Sequence, residues 1–312
     1  MGEEMPGVEG DTGWRKAIPQ ARDQLQSRVL VIVVGTLLAG SCGYSAFVAY
    51  PSIASFSALP VKAVGISLGF ALLVRTLRAA TPGGTICGAM ICFLITLWTG
   101  SFRESVLRTG LIPLIVLFVL TFVSTRAGRT RKARAGLAES RRGRSAAQVI
   151  ANLSVAALSI SPMAGAISRS MTFCCGELWI VEMVKVMCVA VLVEATADTV
   201  SSEIGQAFGG DPVLIVGLRR VESGTDGAVT FLGSGAGIVA GIIVALAGSW
   251  AMHLTVVPTV TALAAGACGL FFDSFLGATV ERRGWIGNDL VNFTSTVFAA
   301  ILAAVVYRFF VL

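Results

Sequence analysis

Charge is the scarcest property of this chain. Asp, Glu, Lys and Arg make up 13% of its 312 residues, about half the ~25% of an ordinary soluble domain. Lysine occurs only at Lys16, Lys62, Lys132 and Lys185, and histidine only at His253. None of the cysteines belongs to a CxxC pair, which excludes a zinc site of the usual Cys/His spacing. Cys42, Cys87, Cys92, Cys174, Cys175, Cys188 and Cys268 read instead as small apolar packing residues. No glycine is followed by lysine, so a Walker A phosphate loop is absent, and the dinucleotide and protein-kinase patterns are missing too. The arginine-rich stretch 125–147 has no interleaved aromatics, which argues against nucleic acid as a partner. No short apolar region with a small-residue cleavage site follows the polar first 28 residues, so no cleavable signal peptide is expected.

What the chain has in abundance is apolar length. It is 55% hydrophobic with a mean hydropathy of +0.81, more apolar residue than a soluble core of this size can hide. Apolar segments fall near 29–50, 61–77, 83–99, 109–124, 148–167, 178–198, 228–250, 254–276 and 290–311. They predict an all-α polytopic membrane bundle of about nine transmembrane helices. Two segments are short, and Arg75 intrudes on one of them. A polar tail, 1–28, would precede a single transmembrane domain, 29–312. The basic residues set the orientation. Arg15, Lys16, Arg22 and Arg28, the eight cations between Arg126 and Arg144, Arg219 with Arg220, and Arg282 with Arg283 all reach one side if the N-terminus is cytoplasmic. Loops 125–147, 199–227 and 277–289 are then cytoplasmic, in an integral membrane protein expected in a bacterial inner membrane. Membrane lipids are its surroundings, and a homo-oligomer stays open. Gly233, Gly237 and Gly241 recur every fourth residue, a stripe suited to close helix packing. Lys185, with Glu182 three residues before it, suggests a local ion pair or snorkelling.

The stretch EATADTVSSEIG, residues 194–205, closes an apolar run with three acids, which a bilayer penalises. On one helix Glu194, Asp198, Ser201, Ser202 and Gly205 share a face, while Glu203 points away if the helix stays regular. The turn GTDG, residues 224–227, stands before the next apolar segment. Its N–H groups suit an anion, or Thr225 or Asp226 caps that helix. A third cluster, Asp273 with Ser274 and then Arg282, Arg283, Asn288, Asp289 and Asn292, ends the 254–276 segment and opens the last one. Asn292 sits one turn inside and also suits a bridge between helices. Acids suit Mg²⁺ together with phosphate oxygens, arginines and glycine turns suit phosphate, and apolar helices beside them suit a lipid tail.

EATADTVSSEIG, SGTDGAVT, FDSFLGATVERRGWIGNDLVNF and GRSAAQVIAN together resemble the DUF92 family of integral membrane proteins, from about residue 60 onward. That family includes the eukaryotic transmembrane protein 19 and plant phytyl-phosphate kinase. The first two stretches also look, more distantly, like motifs of the CTP-using dolichol and phytol kinases. The resemblance implies a membrane-embedded kinase moving a phosphoryl group from a nucleoside triphosphate, CTP favoured, to a prenyl monophosphate such as phytyl phosphate, with Mg²⁺. It implies catalytic Asp198, Glu203 and Asp273, with Asp198 and Asp273 holding the metal. Gly205, Thr225, Asp226, Gly227, Gly277, Asn288 and Asn292 carry over beside them, and Gly224, Arg219 and Arg220 join them around the triphosphate. Arg144, Gln148 and Asn152 carry over from the basic loop, and with Arg142 they are expected at the lipid phosphate. Leu153 departs from the glycine common in the family. The rivals are a cytidylyltransferase on a lipid phosphate and a transporter or lipid flippase. Transport is disfavoured because the polar groups gather at one face rather than at mid-membrane.

Overall fold

The structure is a computed structural model that describes residues 18–50, 59–100, 105–138, 142–162 and 178–311. Helices run α1 Gln20–Ala49, α2 Leu59–Thr76, α3 Pro82–Thr99, α4 Leu111–Arg126, the short α5 Arg129–Arg134, α6 Ala146–Ile160, α7 Leu178–Phe208, α8 Phe231–Met252, α9 Val256–Leu276 and α10 Asn288–Val311. The only sheet among the described residues is two short antiparallel strands, β1 Val213–Leu214 and β2 Ala228–Val229, with Val213 opposite Val229. The protein is an all-α polytopic membrane protein. Six helices are long and apolar enough to cross a bilayer, and α4 and α6 are shorter apolar helices.

α7 is the axis of the bundle. From Val186 to Ala197 its residues are buried almost without interruption, and α8, α9, α10, α6 and α4 pack round it. A helix apolar on every side buries every side. The glycine stripe of α8 lies on α7 as its spacing predicts. A Cβ on Gly233 would stand 2.5 Å from Ser201 O, one on Gly237 2.5 Å from Ala197 O, and one on Gly241 3.1 Å from Val193. Only glycine allows the two backbones this close.

Three expected boundaries move. α1 starts at Gln20, so the end of the polar tail is helical. α7 continues to Phe208 instead of stopping at 198. Its 31 residues span about 46 Å at ~1.5 Å per residue, more than a ~30 Å hydrocarbon core, so the motif turns project from one end. α6 ends at Ile160, and positions 163–167 of the expected segment lie outside the described residues. Arg75 falls in the last turn of α2, which ends one residue later, and its Nη1 donates to Ala80 O at 3.3 Å.

The connections sort to two ends. At the basic end, Arg22 Nη1 donates to Gly284 O at 3.1 Å and Gln26 Nε2 to Trp285 O at 2.9 Å, tying the start of α1 to the α9–α10 turn. Arg144 N donates to Ala79 O at 2.9 Å, and Thr81 N to Arg144 O at 3.0 Å, tying the loop before α6 to the α2–α3 turn. At the far end, Arg108 lies over the Trp250 ring, 4.1 Å from its centroid.

Candidate active site

The basic-end turns of α6, α7, α9 and α10 and the β1–β2 hairpin enclose a polar cavity of about 440 Å³. α7 gives Asp198, Ser201, Ser202 and Gly205, which a 3.6-residue period keeps on one face. α9 gives Asp273 and Ser274, α10 gives Asn288 and Asn292, and α6 gives Gln148 and Asn152. Arg144 enters from the loop before α6, and its Nη2 donates to Thr199 Oγ1 at 3.3 Å. Past α9 the chain widens into a π-helical turn, Gly277–Glu281, where Arg282 N donates to Gly277 O at 3.3 Å. The wider turn carries Gly277 and Glu281 to the cavity wall, and such bulges frequently occur at functional sites.

The floor is a shared hydrogen-bond network. Ser295 Oγ lies 2.6 Å from Glu194 Oε1, 3.1 Å from Asp273 Oδ2 and 2.9 Å from Asn292 O. One hydroxyl proton cannot serve three acceptors. Glu194 is 1% exposed, and its second oxygen has no partner among the described residues. Buried carboxylate charge without compensation is costly. The Asn292 amide, oriented so that both ends are satisfied, gives Nδ2 to Asn288 O at 3.1 Å and Asp273 Oδ2 at 3.3 Å, and accepts from Asn152 Nδ2 at 3.3 Å. Asn292 therefore joins α6, α9 and α10 and lines the cavity as well.

The glycine turn closes the cavity from above. Gly224 and Gly227 have φ of +88° and +71°, values that L side chains avoid. A Cβ on Gly277 would stand 2.7 Å from Gly227 N, so the turn rests backbone to backbone on the π-helical segment. Thr225 is buried, and its Oγ1 donates to Glu222 O at 2.5 Å. Burial pushes the Asp226 carboxyl up to about 6, against the Arg282 guanidinium, which holds it lower. The turn does not begin α8. β2 intervenes, and Thr230 caps the helix by accepting from Gly233 N at 3.0 Å.

The sequence pattern of the family described as integral membrane protein DUF92 matches residues 65–300, three quarters of the chain. The chain belongs to this family. It is 28% identical over 237 residues to an uncharacterized membrane protein of Methanocaldococcus jannaschii, covering 76% of this chain and 90% of that one. It is 28% identical over 250 residues to Protein VTE6, chloroplastic, of Arabidopsis thaliana, covering 78% and 68%. A membrane protein of Synechocystis, also uncharacterized, is 29% identical over 195 residues, covering 62% and 72%. No solved structure matches.

In this DUF92 chain Asp198, Glu203, Gly205, Gly224, Thr225, Asp226, Gly227, Asp273, Asn288, Asn292, Arg144, Gln148 and Asn152 all border one cavity, though they come from distant segments. Three expected residues do not reach it. Arg219 and Arg220 stand on the exposed loop of the hairpin, and Arg220 pairs with Asp211 at 3.4 Å with both side chains about four-fifths exposed. Arg142 is exposed outside the cavity wall. Glu203 reaches the wall, but its carboxylate is held by Lys132, which is 1% exposed and also donates to Ser124 O at 3.3 Å and Thr125 O at 2.9 Å. Glu203 thus anchors α5 to α7 rather than offering a free acid. Gln148 Oε1 accepts from Ser145 N at 2.7 Å in a capping box, a structural use of that group. Sequence reasoning missed Glu281, Thr230 and Lys132. Glu281 belongs to the motif FDSFLGATVERRGW, and only the π-helical turn shows that it faces inward. The local pair of Lys185 with Glu182 does not form: Lys185 Nζ donates to Met252 O at 3.4 Å and Glu182 accepts from Tyr307 Oη at 2.5 Å.

A divalent cation suits the donor set. Among the described residues no group of three acidic, histidine or cysteine side chains is placed to hold a metal ion by itself. Asp198 and Asp273, with the amide and hydroxyl oxygens around them, offer hard oxygen donors. Mg²⁺ is commonly held by one or two carboxylates and completed by water and phosphate, and the under-satisfied acids of the floor favour such a charge.

Proposed function

We propose that this chain is a phosphotransferase: it moves the γ-phosphoryl group of a nucleoside triphosphate, CTP in the first instance, to a prenyl monophosphate such as phytyl phosphate. The observation that carries the reading is the one cavity in which Asp198 and Asp273, three further carboxylates (Glu203, Asp226 and Glu281), a glycine turn and Arg144 converge at one end of a membrane bundle. Membership of DUF92 and the resemblance to plant phytyl-phosphate kinase supply the reaction class. In the transfer, an oxygen of the lipid phosphate forms a bond to the γ-phosphorus. The bond from that phosphorus to the β–γ bridging oxygen breaks, and a nucleoside diphosphate leaves.

Asp198 and Asp273 would hold Mg²⁺, which supplies charge neutralisation on the transferring phosphoryl group. The chain's own groups do the remaining work. The N–H groups of the 224–227 turn and Thr225 orient the triphosphate. Arg144 offsets negative charge between donor and acceptor. Asn292, fixed by Asn152 and Asn288, holds Asp273 in place. The cavity faces the cytoplasm in this reading, with the N-terminus on the same side as loops 125–147, 209–230 and 277–287, as the arginine bias requires.

Purified protein in detergent, given Mg²⁺, phytyl monophosphate and γ-labelled CTP, should transfer label to lipid. Release of the label as pyrophosphate would point to a cytidylyltransferase. Absence of both products across prenyl phosphates and all four nucleotides, with protein-dependent lipid movement in liposomes, would replace the reading with transport.

A further inference from the structure

A second cavity, about 370 Å³, lies beside the first and shares only Arg144 with it. Its charged lining is all cationic: Arg78, Arg126, Arg129 and Arg144, with no carboxylate. The wall is built for close approach. Gly143 has φ +75°, and a Cβ there would stand 2.5 Å from Ala79 O and 2.6 Å from Ala80 N, so only glycine lets the loop before α6 lie on the α2–α3 turn. Arg78 holds a left-handed φ of +52°, unfavourable for a side-chain-bearing residue. Arg126 lies over the Phe122 ring, 3.4 Å from its centroid, and donates from Nη2 to Leu77 O at 3.2 Å. Its guanidinium is thereby fixed at the mouth.

Below the arginines a third cavity, about 410 Å³, continues between α2 and α4 and shares Leu77, Phe118 and Phe122 with the second. It has only apolar side chains and Gly69 in its wall. Phe70 and Phe118 touch edge to face at 5.5 Å and so close one side of it, which limits its width. Its outer rims, Leu73 on α2 and Val119 on α4, are about half exposed, as surfaces turned to lipid would be.

We infer that these two joined cavities seat the lipid substrate: a phosphate monoester on a single hydrocarbon chain, with the phosphate among Arg78, Arg126 and Arg129 and the chain between α2 and α4. This rests on the phosphoryl-transfer reading for what happens next and on charge and shape for the seat itself. Several arginines match a monoester dianion, the apolar slot takes a hydrocarbon, and its bounded width favours one chain over two. Arg144 faces both polar cavities, so a phosphate held here lies next to the space assigned to the nucleotide. The seat replaces the expected one: of Arg142, Arg144, Gln148 and Asn152, only Arg144 borders it.

The test uses the full chain in detergent and radiolabelled phytyl monophosphate, without nucleotide. Gly69→Trp fills the slot from a position with open space in front of its Cβ, and Arg126→Ala with Arg129→Ala removes the phosphate partners. Each should weaken phytyl phosphate binding at least 10-fold while Mg²⁺-dependent binding of fluorescent CTP stays within 2-fold. Val119→Trp fills the slot from the other wall and serves if Gly69→Trp does not fold. Inorganic phosphate and phosphatidic acid, which carries the same headgroup on two chains, should compete at least 10-fold less well than unlabelled phytyl phosphate. Unchanged phytyl phosphate affinity in the variants overturns the inference. So does equal competition by inorganic phosphate, which would leave no tail site, or by phosphatidic acid, which would mean a general anionic-lipid seat. Loss of binding in the variants together with no phosphoryl transfer by wild-type protein sustains the seat and ends the kinase reading. Wild-type transfer that persists in the variants does the reverse.

Discussion

α7 carries Glu182 and Lys185 toward one end and Glu194, Asp198 and Glu203 toward the other. At the far end each charge meets one partner from a neighbouring helix, Tyr307 or the Met252 carbonyl. At the basic end Glu203 is paired with Lys132, but Glu194 shares one serine hydroxyl with Asp273, and Asp198 opens on a cavity. Buried charge with a private partner holds helices together. Buried charge left to share, beside a polar cavity, is the pattern that sets a functional site apart from a structural one.

The largest break in that comparison should come from Asp273→Asn or Asp198→Asn. Either should lower kcat/KM for label transfer from CTP to phytyl phosphate by at least about 100-fold, with melting little changed. Glu182→Gln at the far end should leave transfer within about 2-fold. Wild-type activity in one of these variants would remove that aspartate from the metal role.

The next effect falls on stability. Lys132→Met strips the partner from Glu203, which is 14% exposed and borders the polar cavity, so the loss should fall below the ~3–5 kcal/mol of a fully buried pair. Denaturation should show that drop, and Lys132→Met with Glu203→Leu should recover most of it. If the single variant is as stable as wild type, Glu203 is not an anchor.

A smaller effect separates Asp226 from the acids inside the bundle. Its carboxyl, raised to about 6 from an ordinary 3.8, keeps its proton in the fold at pH values where the unfolded chain has lost it. Its contribution to stability therefore declines as pH rises from about 4 to about 6 and is level above that. Arg282→Gln removes the charge that favours ionisation, so the decline should extend to higher pH, and Asp226→Asn should abolish it. A pH–stability profile unmoved by Arg282→Gln would dismiss the coupling.

The smallest effect is expected at Arg220→Ala. An exposed pair contributes about 0–1 kcal/mol, and Arg220 lies outside the cavity. Transfer should stay within about 2-fold, and a larger loss would return this arginine to the triphosphate.

Much of the site was legible because its residues sit at helix ends in short runs. Asp198, Ser201, Ser202 and Gly205 share a face by period alone, and Asp273 with Asn292 flank one turn. Arg219 and Arg220 looked like phosphate ligands because they are close in sequence to the glycine turn. The hairpin sends them outward, because pairing of β1 with β2 fixes which residues of the loop face the bundle. Arg78 was invisible as a ligand, since nothing local shows that the α2–α3 turn meets the loop before α6.

By itself the sequence determined the solvent and the family. Scarce charge and long apolar runs require a bilayer, because only burial in lipid offsets so much apolar surface. The one-sided arginines order the segments, and the glycine stripe sets which face of α8 meets α7. Tertiary structure alone decided which charges are spent on structure and which are open. That choice depends on contacts between residues far apart in the chain, such as Lys132 with Glu203, Ser295 with Glu194 and Asp273, and Arg144 with Ala79. Their free energies are set by distance and burial, which no local pattern encodes.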